Sequence, residues 1–151
     1  MKNIPAPTII VGHLSDFFIF CWWWHYPGGL LMARILIVED DTELQGMLAL
    51  LLKRHGYDVY SAQNGVEALY QAVYYQPDLI ILDLMMPLAS GDAVLGFIRS
   101  TDSLRNTPVL VVSAHPKAAE LAAQLEADDY LTKPVEMKIL LARIETLLQK
   151  A

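Results

Sequence analysis

The chain has 151 residues, 54% of them hydrophobic, a formal net charge of −6 and a pI near 5.0. That length suits one domain and scarcely two, and the apolar fraction suffices for a core without cross-links. The acidic balance argues against a basic nucleic-acid-binding face, and a single cysteine, Cys21, excludes an intrachain disulfide framework or zinc cluster.

Charge is unevenly placed. Residues 1–33 hold only Lys2 and Asp16 as formal charges, together with the aromatic cluster Phe17, Phe18, Phe20, Trp22, Trp23 and Trp24. The apolar stretch from Ile9 to Trp24 is interrupted by His13, Ser15 and Asp16, and at 16 residues falls short of a membrane span. No small-residue cleavage pattern follows the tryptophans, so a signal peptide is not indicated. Met32-Ala33-Arg34 stands where a chain could naturally start. Residues 1–32 are therefore read as a hydrophobic extension outside the fold, and 33–151 as the domain. Membrane or partner attachment through the aromatics is the lesser alternative. The scarcity of cysteine makes a reducing, cytoplasmic setting the expectation.

From Arg34 onward, short apolar runs alternate with amphipathic stretches. Arg34–Val38 reads as a buried strand. Thr42–His55 reads as a helix with Leu44, Met47, Leu48, Leu51 and Leu52 on one face, and Gly56 as its C′ residue. Tyr57–Ala62 is expected to be a strand, and Asn64–Tyr75 a helix presenting Val66, Leu69 and Val73. Asp78–Leu82 is a third strand, followed by a loop with Pro87 and Gly91. Ala93–Arg99 is helical with Val94, Leu95 and Ile98 inward. Pro108–Val112 is a strand, Pro116–Leu125 a helix and Asp129–Thr132 a short strand. Val135–Lys150 closes the series, with Ile139, Leu140, Ile144, Leu147 and Leu148 at helical spacing. Five strands alternating with five helices predict a parallel sheet covered on both faces, in the order 2-1-3-4-5 of a flavodoxin-like (βα)5 three-layer sandwich.

In such a sheet, ligands bind beyond the carboxyl ends of the strands. Strand one ends in Glu39-Asp40-Asp41, strand three in Asp83, strand four in Ser113 and strand five in Lys133-Pro134. Acids, a hydroxyl and an amine would thus converge from four strands. Two carboxylates at about 5 Å repel by ~3 kcal/mol at an effective dielectric of 20, a cost that a hard divalent cation removes. Mg²⁺ takes oxygen ligands and commonly uses one or two carboxylates plus a phosphate oxygen. A carboxylate can itself accept a phosphoryl group, whose charge an ammonium and a metal can stabilise. Taken singly, Asp83 could be a helix cap, Ser113 a turn residue and Lys133 a solvated lysine. Their convergence argues for the chemistry instead.

ILIVEDD at 35–41, DLMMPLASG at 83–91, VVSA at 111–114 and DDYLTKP at 128–134 resemble the four signature regions of the receiver domain of two-component response regulators. The separations match as well, with 43 residues from Asp40 to Asp83 and 30 from Asp83 to Ser113. The resemblance covers residues 33–150 and implies a phosphorylation-dependent, chemotaxis-regulator-like switch. It implies Asp83 as phosphoacceptor and Glu39 and Asp40, with Asp83 and the Met85 backbone carbonyl, as the Mg²⁺ site. Asp41 would be less direct. Lys133 would pair with Asp83 and then with the phosphate. Ser113 and Tyr130 would be the switch residues, and Lys133-Pro134 would be cis. Met85 and His115 stand where side chains tune the lifetime of the phosphorylated state, His115 otherwise reading as an exposed loop histidine. The implied phosphodonor is a histidine kinase or histidine phosphotransfer protein, and the implied output a protein target.

Two departures stand out. Ser113 to Lys133 is only 20 residues, about two fewer than the family pattern, and LEADDYL lacks the usual glycine before its ADDY stretch. The chain stops at the fifth predicted helix, which sets the expectation of a single-domain adaptor or phosphorelay intermediate, not an enzyme in the ordinary sense. The competing readings are a phosphate-independent interaction module and an aspartate-nucleophile phosphatase. The second would want another Asp where Met85 stands.

Overall fold

The computed structural model describes residues 32–86 and 90–150. The expectations for residues 1–31, their aromatic cluster and Cys21 among them, lie outside the described residues. Arg34–Val38 (β1), Thr42–Arg54 (α1), Asp58–Ala62 (β2), Gly65–Tyr75 (α2), Leu79–Leu82 (β3), Gly91–Ser100 (α3), Val109–Ser113 (β4), Ala118–Gln124 (α4), Asp129–Thr132 (β5) and Met137–Leu148 (α5) follow in strict alternation. The strands form one parallel sheet in the order β2-β1-β3-β4-β5, as the sequence predicts. Among the described residues, no helix is long and apolar enough to cross a membrane.

The period-2 alternation of each strand divides the core into two layers. Leu36, Val38, Ile80, Leu82, Val109 and Val111 face α2, α3 and α4. Ile35, Ile37, Leu79, Ile81, Leu110 and Val112 face α1 and α5. With both faces covered, β3 and β4 are buried along their whole length, which is why they read as unbroken apolar runs. Asp41 caps α1 by accepting the Glu43 and Leu44 N–H groups, and Gly56, at φ +84°, ends it where only glycine is unstrained.

Three helical faces are corrected by the structure. Val66 and Val73 on α2 are about half exposed, and Ala68 and Ala72 are the buried residues instead. Bulk misled the reading: alanines let a helix approach the sheet closely, so the true face lies one residue, about 100°, away. Met47 on α1 and Ile139 on α5 also point outward, leaving Leu48 and Leu52, and Leu140, Ile144 and Leu147, in the core.

The missing glycine has a structural consequence. α4 is only seven residues long, and Glu126, just past its C-cap Leu125, lies at φ +58°. This left-handed conformation costs a non-glycine residue roughly 1 kcal/mol. Arg99 holds the turn. Its Nε donates to the Glu126 carbonyl at 2.8 Å, its Nη1 to the Arg105 and Thr107 carbonyls, and its Nη2 to Asp128 at 2.8 Å. Since Glu126 is engaged through its backbone alone, its carbonyl by Arg99 and its N–H by the Ala123 carbonyl, Glu126→Gly should relieve the strain and keep the clamp. Glycine also loosens the unfolded chain, so the expected net gain is about 0.5 kcal/mol, read as a raised urea midpoint at unchanged m-value.

Candidate functional site

The carboxyl edge of the sheet positions its functional groups by extending the strand ladder one residue past each strand end. The Glu39 N–H donates to the Ala62 carbonyl, the Asp83 N–H to the Val38 carbonyl and the Lys133 N–H to the Ser113 carbonyl, each at 3.0 Å. Three backbones that are far apart in sequence are thereby fixed side by side. Gly91, at the start of α3, packs against this edge. A Cβ there would overlap the Asp83 carbonyl oxygen and lie 2.6 Å from Leu84 Cα, so only glycine fits.

The side chains converge. One ligand oxygen from each of Glu39, Asp40 and Asp83 lies within 4.8 Å of the others. Lys133 Nζ donates to Glu39 Oε2 at 2.7 Å and to Asp83 Oδ2 at 2.5 Å. Asp83 Oδ1 accepts the Met85 N–H at 2.9 Å, and Glu39 Oε1 accepts the Asp41 N–H at 3.3 Å. Glu39 and Asp83 are buried, whereas Asp40 is exposed. Three carboxylates thus face one ammonium, and the clustered hard oxygens suit a small divalent cation.

Burial holds the Glu39 carboxyl above its ordinary value, outweighing the hydrogen bond from Lys133 that favours the charged form. Burial alone would lower Lys133, but its hydrogen bonds to Asp83 and Glu39 overcome that and hold the ammonium above its ordinary value. The lysine therefore stays charged, and its two acids compete for it.

The expected site residues separate into two groups. Glu39, Asp40, Asp83 and Lys133 meet directly. Ser113 is wholly buried at the end of β4, where its Oγ accepts the His115 N–H at 3.3 Å. Tyr130, on edge strand β5, is 43% exposed. Met85 enters through its N–H, and its side chain is exposed. His115 is partly buried, its Nδ1 accepting the Lys117 N–H, rather than a fully exposed loop residue. Lys133-Pro134 is cis, as the resemblance implies. Residues 87–89 of the DLMMPLASG stretch lie outside the described residues. Sequence reasoning missed Gln45. Its buried side chain donates to the Glu39 and Ala62 carbonyls, and a lone polar residue among the leucines of α1 was the available signal. Beside the site an open groove of about 580 Å³ is lined by Leu44, Met47, Val135 and Met137, with Asp41 and Lys133 at its border.

The profile of the response regulator receiver domain matches residues 35–145. The chain is similar to the response regulator MprA of Mycobacterium sp. strain KMS, 42% identical over 119 residues that cover 78% of this chain and 51% of that protein. It is similar to the DNA-binding dual master transcriptional regulator RpaA of Synechocystis sp., 38% identical over 121 residues that cover 79% of this chain and 50% of that protein. It thus spans about half the length of these curated relatives. The signal receiver domain of a signal transduction histidine kinase from Syntrophus aciditrophicus has a TM-score of 0.73 at 31% identity, covering 79% of this chain and 92% of that one. The chemotaxis protein CheY4 of Vibrio cholerae has a TM-score of 0.73 at 28% identity, covering 78% of this chain and 99% of that one. With its fold, its strand-end acids and its lysine all in place, the chain belongs to the response regulator receiver domain family.

Proposed function

We propose that this chain is a phosphorylation-dependent signalling switch in which Asp83 accepts a phosphoryl group from a phosphohistidine. The observation that carries the reading is the setting of Asp83. It is buried, one oxygen rests on Lys133 Nζ and the other on the Met85 N–H, and Glu39 and Asp40 stand within 4.8 Å.

Glu39, Asp40 and Asp83 would hold Mg²⁺, with the Met85 backbone carbonyl as a further ligand. When bound, the ion supplies charge neutralisation for the phosphoryl oxygens. An Asp83 carboxylate oxygen forms a bond to phosphorus as the P–N bond to the donor imidazole breaks, and the imidazole leaves with its electron pair. Lys133, already on Asp83, moves to a phosphoryl oxygen and stabilises its charge. Ser113 turns its hydroxyl toward the phosphoryl group and Tyr130 follows, biasing a two-state surface that a downstream protein reads. Water then hydrolyses the acyl phosphate. This self-catalysed cycle holds a transient conformational state between phosphoryl transfer and the release of inorganic phosphate. The apolar groove that Lys133 helps line suits an amphipathic helix of the donor, a histidine kinase or histidine phosphotransfer protein. A cytoplasmic setting fits such a donor.

Incubation with acetyl phosphate and Mg²⁺ should add one phosphoryl group by intact mass, lost in Asp83→Asn and in EDTA. Folded wild-type protein that takes none, from acetyl phosphate or from a phosphorylated histidine kinase, would sink the reading in favour of a phosphate-independent module.

Lys133→Met should lower stability by about 3 kcal/mol in EDTA, because Glu39 and Asp83 lose the cation they share. Saturating Mg²⁺ should narrow that gap in urea melts. An equal loss with and without Mg²⁺ would mean that lysine and metal do not serve the same charges.

A pH series in EDTA addresses Glu39. Its native-state value is raised, so the folded chain binds that proton more tightly than the unfolded chain does. The stability this confers is complete below the ordinary value of 4.5 and is lost as pH rises through the raised value. Glu39→Gln should remove that fall.

A further inference from the structure

Gln45 acts on the acidic pair through the backbone. Its Nε2 donates to the Glu39 and Ala62 carbonyl oxygens, each at 2.9 Å, and the residue is 8% exposed. The Glu39 carbonyl belongs to the planar peptide unit that joins Glu39 to Asp40. Turning that unit would swing the Asp40 side chain away from Glu39 and Asp83. The Ala62 carbonyl also accepts the Glu39 N–H at 3.0 Å. One amide thus ties together the ends of β1 and β2 and the start of α1, and both of its hydrogens are used.

The two acids are anchored unequally. Glu39 is held at both carboxylate oxygens, by the Asp41 N–H and by Lys133. Asp40 is exposed, and among the described residues its carboxylate takes part in no hydrogen bond or ion pair. Backbone orientation alone aims Asp40 into the cluster, and Gln45 holds that backbone.

We infer that Gln45 is a positioning residue for divalent-cation binding: it fixes the Glu39–Asp40 peptide so that both carboxylates converge with Asp83. This rests on the reading of the acidic cluster as a Mg²⁺ site. A buried amide could serve stability alone, and the two roles differ in what they do to metal affinity.

The test is isothermal titration of Mg²⁺ into the full chain without any phosphodonor, well below the melting temperature of each variant. Gln45→Met keeps length and approximate volume but has no donor. The expected result is a folded protein by circular dichroism whose Mg²⁺ Kd is raised roughly tenfold, toward that of Asp40→Asn. A lower melting temperature with an unchanged Kd overturns the inference. Should the methionine variant fail to fold, Gln45→Asn, whose amide is one methylene short of both carbonyls, carries the same comparison. If wild type itself takes no Mg²⁺, the metal-site reading falls and this inference with it; if wild type binds and the folded variant matches it, only the role of Gln45 falls.

Discussion

Everything at the carboxyl edge of this sheet depends on an imbalance: three carboxylates crowded around a single ammonium. At the separations observed, two such carboxylates repel by about 3 kcal/mol at an effective dielectric of 20. Lys133 offsets part of that by sitting on Glu39 and Asp83 at once, and no second lysine or arginine pairs with the cluster among the described residues. Net negative charge is therefore built into the site. Buried charges persist only when they are paired, hydrogen-bonded or bound to a metal. The same imbalance makes the site receptive to a divalent cation, while burial first and the neighbouring Asp83 charge to a lesser degree keep the Glu39 carboxyl above its ordinary value even beside a lysine.

The parallel sheet supplies the constraint. Its strands all end at one edge, so β1, β3, β4 and β5 each deliver the residue that follows or ends them to the same place. Hydrogen bonds from Glu39, Asp83 and Lys133 to neighbouring strand ends lock the backbone there, and Gly91 lets α3 start flush against the Asp83 carbonyl. Repulsion at the site is opposed by the two apolar layers beneath it. Their strand residues are nearly all inaccessible to solvent, so the edge cannot relax by spreading without opening both layers.

How much of this was legible follows from what each residue needs. Strands buried on both faces must be apolar throughout, so β1, β3 and β4 were plain in the sequence, and Asp129–Thr132 was bounded to the residue. Glu39, Asp40, Asp83 and Lys133 were legible because strand ends in a parallel sheet converge whatever the side-chain detail. The α2 face was not, since Ala68 and Ala72 gain their place by closeness rather than hydrophobicity, and periodicity weighted by bulk chose Val66 and Val73. Gln45 was marked only by its polarity among the leucines of α1, and Arg99 was not marked at all. Both act on carbonyl groups, and which carbonyl a side chain meets is decided by tertiary packing and leaves no pattern in spacing. Glu126 lies between: the absent glycine was visible, but the response to it, a strained turn rather than a rerouted one, was not.

That turn bears on how a signal could leave the site. α4 is short; Ala118 and Ala122 are its buried residues, with Leu121 and the C-cap Leu125 partly buried against the same core layer. β5 beside it is an edge strand whose residues alternate between half-buried and exposed. An edge strand, paired on one side only, is the element that a change of charge at the sheet edge can shift at smallest cost. Ser113 lies wholly buried at the end of β4, paired in register with Thr132 of β5, so movement of its hydroxyl toward Asp83 would be felt first by that strand. Arg99 works in the other direction, because four hydrogen bonds tie the exit of α4 to α3 and to the loop before β4. The shortened α4 region is thus seated by Ala118 at its start and pinned by Arg99 where the chain leaves the helix. Within the proposed switch, a displacement passed from Ser113 to β5 would meet the Arg99 clamp at the exit of α4.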